Sequence, residues 1–155
     1  MTLVTHTTLV FERAIRAPVD RVFTAFADAA ARAKWGTPSD TAVLLYDETD
    51  FQEGGQDQFR CGPRTNPNIY GTTRYLDILP NRRIVSTETI CVDGNRLCAS
   101  LTTLELMPDG DITRLKNTTQ LASFIGEDMV SGYTTGTNAS LDNLVAHFHD
   151  AHSKN

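Results

Sequence analysis

Arg74 and Glu88 are the residues of this chain best suited to holding a polar group in place. They lie in two runs of alternating apolar and polar residues, Ile69 to Leu79 and Arg83 to Val92, joined by Pro80-Asn81-Arg82. Alternation with a period of two marks strands, and so short a connection makes them antiparallel neighbours. With a three-residue loop, Ile78 faces Ile84, Leu76 faces Ser86 and Arg74 faces Glu88. Inside a cavity such a guanidinium and carboxylate would pair, because an unpaired buried charge costs several kcal/mol, and the pair would orient a polar ligand group by charge-assisted hydrogen bonds. On the outer face of the sheet the same residues form an ordinary cross-strand ion pair worth about 0.2–1 kcal/mol. The pattern leaves both faces open. Glu88 is also the one candidate general base, with Asp57 or Tyr70 as its partner, and that role needs a pKa raised by burial without Arg74 beside it.

Two further runs extend the pattern, Leu97 to Met107 and Ile112 to Ala122. Taking Asp93-Gly94-Asn95 as a loop sets Glu88 opposite Ser100, Ser86 opposite Thr102 and Ile84 opposite Leu104. Taking Pro108 to Asp111 as the next sets Ser100 opposite Thr119, Thr102 opposite Asn117 and Leu104 opposite Leu115. One face then carries an apolar row (Ile78, Ile84, Leu104, Leu115), a mixed row (Leu76, Ser86, Thr102, Asn117) and a polar row (Arg74, Glu88, Ser100, Thr119). We read it as the concave face.

Other chemistries find little support. His149 and His152 are three apart, as two ligands of one metal can be, but no H-E-x-x-H pattern accompanies them and a solvated helix end accounts for both. Cys61, Cys91 and Cys98 are odd in number and form no C-x-x-C motif, so small buried apolar side chains are the expectation. There is no G-x-S-x-G, P-loop or dinucleotide fingerprint, and no cofactor is expected. A formal charge of −5 argues against nucleic acid, since Arg82-Arg83 is the densest basic pair. No apolar run is long enough to span a bilayer, and Met1 to Val10 does not read as a leader, so a cytoplasmic location is expected.

The elements that must position these residues begin with a strand, Thr7 to Arg16. Ala17-Pro18-Val19-Asp20 then changes the period, and Val22, Phe23 and Phe26 follow at helical spacing to about Asp28. Ala29 to Lys34 reads as a second short helix. Thr41 to Phe51 and Asp57 to Gly62 are strands around Gly54-Gly55, followed by the meander described above. Ser123 to Met129 is a loop or helical turn. Gly132 to His149 closes the chain as an amphipathic helix, with Leu141, Leu144, Val145 and Phe148 on one face. Gly132, Tyr133 and Gly136 fall at its entrance, where glycines would let it hinge. The order predicts one α+β domain over residues 1–155: a curved antiparallel sheet of six to seven strands wrapped around a long C-terminal helix, the helix-grip architecture.

FERAIRAPVDRVFTAFADAAARAKW, from Phe11 to Trp35, is similar to the opening of the START-like (SRPBCC) superfamily. The stretch from Tyr70 to Gln120 and the closing GYTTGTNASLDNLVAHF resemble its AHSA-like branch, which groups the calicheamicin-resistance protein with the activator of the heat-shock ATPase. The resemblance implies a helix-grip fold with a hydrophobic cavity, whose mouth Trp35, Phe59, Tyr70, Phe124 and Tyr133 would surround. It implies a small hydrophobic or aromatic ligand bearing a polar group, and leaves open a co-chaperone module with a chaperone partner, a cyclase- or hydrolase-like enzyme, and a homodimer. Where many relatives carry Glu-Gln at the end of the last strand this chain has Thr119-Gln120, which implies a less acidic pocket there.

Overall fold

The computed structural model describes residues 3–37 and 39–153, with side chains through 149. The chain runs β1 (Thr5–Ile15), α1 (Val19–Ala27), α2 (Ala29–Trp35), β2 (Ala42–Glu48), β3 (Gln56–Pro63), β4 (Ile69–Leu79), β5 (Arg83–Val92), β6 (Asn95–Asp109), β7 (Ile112–Ser123) and α3 (Glu127–Ser153). The strands form one antiparallel sheet in the order β1-β7-β6-β5-β4-β3-β2. Only β1 leaves sequence order, crossing over to pair with β7. This is the helix-grip α+β architecture that the sequence predicts.

Local chemistry sets the element boundaries. Pro18, in extended conformation, is the residue before the first turn of α1, and α1 buries Val22 and Ala25. Asp28 ends α1 and caps α2, where its carboxylate accepts the Ala30 N–H at 3.0 Å. At the other end of the chain, Gly126 takes a φ of 71°, and the Ser123 hydroxyl donates to its carbonyl at 2.7 Å. Together they turn β7 into α3 at Glu127, five residues earlier than the sequence suggests. Gly132 and Gly136 therefore lie in the interior of α3, not at its entrance, and the expected hinge is replaced by continuous helix.

The registers agree with expectation on one side of the sheet and depart on the other. Across β5 and β6, Glu88 pairs with Ser100, Ser86 with Thr102 and Ile84 with Leu104, as predicted. Across β6 and β7 every partner moves by two: Leu104 faces Asn117, Thr102 faces Thr119 and Ser100 faces Leu121. The cause is a two-residue turn, with Asp109 opposite Ile112 and Gly110 at φ 62°. Pro108 stays in β6 because β5 already ends opposite Glu105, so the missing N–H faces no partner strand. A shift of two preserves which face each side chain takes.

The larger departure is in β4. Ile78 faces Ile84 as predicted, but the register slips between Tyr75 and Asp77, leaving Leu76 as the extra residue of a bulge. Beyond it Tyr75 faces Ser86, Thr73 faces Glu88, and Arg74 faces Thr87. The bulge reverses the face of everything upstream in β4, so Tyr75 is buried while Arg74 and Leu76 are exposed.

The main core lies between the sheet and the C-terminal half of α3. Leu141, Leu144 and Phe148 are buried against Phe11, Ile15, Val22, Leu104, Leu106 and Leu115, with Val145 partly buried beside them. The apolar stripe at i, i+3, i+4 and i+7 thus covers the sheet as its spacing requires.

Candidate ligand cavity between the sheet and the C-terminal helix

The N-terminal half of α3 behaves differently. From Ser131 to Ser140 it carries serine, threonine, glycine, asparagine and alanine, with Tyr133 as its one large side chain. A methyl group added at Gly132 or Gly136 would meet nothing within 4 Å. Small side chains cannot fill the space over a curved sheet, and a cavity of about 840 Å³ lies between them. Its walls include Phe26, Trp35, Phe51, Ile84, Ile90 and Leu104.

Polar groups are set into these walls in register. Asp57 of β3 faces Thr73 of β4, Thr73 faces Glu88 of β5, and Glu88 faces Ser100 of β6. The two carboxylates therefore share one row, two strands or roughly 10 Å apart. A second row, Tyr75, Ser86, Thr102 and Thr119, runs beside it.

Asp57 is 2% exposed and tightly held. Its Oδ2 accepts from Arg32 Nη2 at 3.0 Å and from the Tyr75 hydroxyl, and its Oδ1 accepts the Asp50 N–H at 3.2 Å. Arg32, buried on α2, also donates to the Phe26 carbonyl and to Tyr46 OH, and stacks over the Tyr46 ring at 4.8 Å. Burial pushes the Tyr75 hydroxyl well above the usual tyrosine range; Arg32 opposes this and the bond to Asp57 adds to it.

Glu88 has different neighbours. Tyr133 OH, reaching down from α3, donates to its Oε1 at 3.1 Å, and Thr73 Oγ1 donates to its Oε2 at 3.2 Å. Ser100 Oγ lies 3.2 Å from Tyr133 OH and donates to it when the tyrosine proton is committed to Glu88. Burial raises the Glu88 pKa, and the two hydroxyl donors oppose the rise. Burial, then the Glu88 charge, likewise pushes Tyr133 well up. Further along the wall Thr119 donates to Asn117 Oδ1 at 2.7 Å, and Thr102 lies 3.1 Å from Thr119.

The structure brings Trp35, Phe59, Glu88, Thr102, Asn117, Thr119 and Tyr133 to the cavity wall. Ser100 stands behind it, bonded to Tyr133. Phe59 lies across Gly71, where a Cβ would fall 2.0 Å from its Cζ, so the ring occupies the place of the missing side chain. Three expectations are corrected. Arg74 is exposed on the convex face and faces Thr87, because of the Leu76 bulge, so it forms no pair with Glu88. Tyr70 is 52% exposed, since it stands on the opposite face from its neighbour Gly71. Phe124 is partly buried beyond the end of β7, its N–H donated to the Leu97 carbonyl, and it does not reach the cavity.

Arg32, Tyr46 and Tyr75 also line the cavity, and the sequence pattern does not single them out. The one available signal is the three-residue spacing of Arg32 and Trp35, which puts both on the inward side of α2. Burial holds the thiols of Cys61 and Cys98 up to about 11, which makes them poor nucleophiles. His149 Nδ1 lies 3.4 Å from Arg16 Nη1, while the His152 side chain lies outside the described residues.

The family model described as "Activator of Hsp90 ATPase homolog 1-like protein" matches residues 16–149. Among solved structures, the chain is similar to the Mll3558 protein from Rhizobium loti, at 38% identity and a TM-score of 0.82, over 93% of this chain and 98% of that one. A protein from Rhizobium leguminosarum matches at 26% identity and a TM-score of 0.83, over 97% and 99%. Protein CV1439 from Chromobacterium violaceum matches at 26% and 0.78, over 91% and 96%. No curated protein matches the chain.

Proposed function

The chain belongs to the activator of Hsp90 ATPase homolog 1-like family, whose START-like fold serves ligand binding or co-chaperone work, and on that premise we propose that it binds a small, largely hydrophobic ligand. The cavity of about 840 Å³ under α3 supports this reading: apolar and aromatic walls surround a few convergent polar groups. Burial of an apolar molecule there supplies affinity, and Glu88, Tyr133, Asn117 and Thr119 supply orientation. A ligand that binds the folded state alone raises its melting temperature. The test is a thermal-shift screen of aromatic and lipid-like molecules, with native mass spectrometry of freshly purified protein. Gly136→Leu, which projects a side chain into open space in the cavity, should abolish the shift while the variant stays folded. A screen in which no molecule shifts the wild type, together with a mass spectrum free of adducts, would sink the reading and favour a surface-borne co-chaperone role.

A further inference from the structure

Resting on the ligand-binding reading above, we infer that the cavity selects a molecule with a protonated amine, and that Glu88 is the residue that receives it. The two inward carboxylates differ in what surrounds them. Asp57 has a guanidinium in direct contact. Glu88 has only hydroxyl donors, from Tyr133 and Thr73, and no lysine or arginine reaches it among the described residues. The nearest candidates are committed elsewhere: Arg32 holds Asp57, and Arg74 faces outward across the sheet.

Glu88 is half-buried, and a carboxylate drawn even partly out of water without a cation is costly, so proteins ordinarily supply the cation themselves. Here the missing charge can come from the cavity. Glu88 lines it, and each carboxylate oxygen accepts one hydroxyl while keeping acceptor capacity for an N–H. Two hydroxyls pointing their protons at Glu88 suit an anion. They do not suit a neutral acid, which would need an acceptor for its own proton. The aromatic surroundings agree with a cationic guest. The Phe59 ring, held over Gly71 one strand away, and the Tyr133 ring lie in the same cavity, and ring faces attract ammonium groups in dry surroundings. Tyr46 is already covered by Arg32 and is not available for this. The apolar remainder of the wall takes the hydrocarbon body of the ligand, and the low dielectric there strengthens the ammonium–carboxylate contact.

The test uses three probes that share one body and differ in head group: 4-biphenylmethylamine, 4-biphenylmethanol and 4-biphenylcarboxylic acid, titrated calorimetrically at neutral pH. The amine should bind about tenfold or more tightly than the alcohol, and the acid weakest. In E88Q the amine's advantage should fall to within about threefold. Alcohol or acid binding as tightly as the amine overturns the inference and leaves the ligand-binding reading standing. An amine preference that persists in E88Q overturns the assignment to Glu88. Binding of none of the three overturns the inference, while the ligand-binding reading stands or falls on the wider screen and mass spectrum described above.

Discussion

Two carboxylates stand on one row of one sheet, and the protein treats them in opposite ways. Asp57 is enclosed by α2 and β4, neutralised by Arg32 and bonded by Tyr75, so every one of its demands is met from within the chain. Among the described residues Glu88 is partnered by hydroxyls alone, one of which descends from α3 across the cavity. The first arrangement is finished without a ligand. The second has no cation beside it among the described residues, and on the ligand-binding reading this separates structural polarity from polarity poised for binding. Neighbouring positions with the same side-chain chemistry thus carry different meanings, decided by the element packed above each.

The sharpest way to break the contrast is to remove the cation from the finished site. Arg32→Met should destabilise the fold by about 3–5 kcal/mol in urea titrations, because it leaves Asp57 buried without its partner. A loss well under that range would mean the two carboxylates are less different than their surroundings suggest. Next in size is Tyr133→Phe, which removes one donor from Glu88 and should cost about 1–3 kcal/mol by the same measurement. Glu88→Gln tests the other half of the comparison through pH. A carboxyl whose folded pKa lies above its unfolded one binds protons more readily when folded, so wild-type stability should fall as pH rises from the ordinary glutamate range through the raised value. The melting temperature of the wild type relative to E88Q should therefore fall as pH rises from about 4 to neutral, and parallel pH profiles would contradict the assignment. The smallest effect belongs to Arg74→Ala, within about 0.5 kcal/mol and with ligand-induced thermal shifts unchanged, since the side chain stands on the convex face.

That last variant marks where sequence reasoning failed. β4 and β5 were legible to the residue, because Pro80-Asn81 fixes the turn and alternation fixes the faces near it. Alternation then carries any phase error along the rest of the strand. The Leu76 bulge has no glycine or proline to announce it, so every face upstream in β4 was inverted and the expected Arg74–Glu88 pair does not exist. Errors of two residues were harmless by the same logic: β7 slid along β6 without turning over, and Thr119 and Asn117 still reach the cavity. Glu88, Ser100 and Thr102 were legible because β5 and β6 hold the assumed register throughout that stretch. Arg32 was out of reach for another reason. A cation on a short helix reads as solvated, and only tertiary packing shows that α2 lays it against Asp57.

The glycines of α3 bear on how this protein can change. Helix interiors favour alanine over glycine by close to 1 kcal/mol, so Gly132 and Gly136 each leave easily attainable stability unused. An alanine at either position would meet no atom within 4 Å and would strengthen the helix, yet its methyl would occupy volume in the compartment beneath. Firmness of the fold and room for a guest are therefore traded against each other at these two positions, while Leu141, Leu144 and Phe148, further along the same helix, keep the domain together whichever way the trade goes. On the ligand-binding reading, one continuous helix thus divides its labour by length: one half can be rewritten for a differently shaped guest with little risk to folding, and the other half cannot.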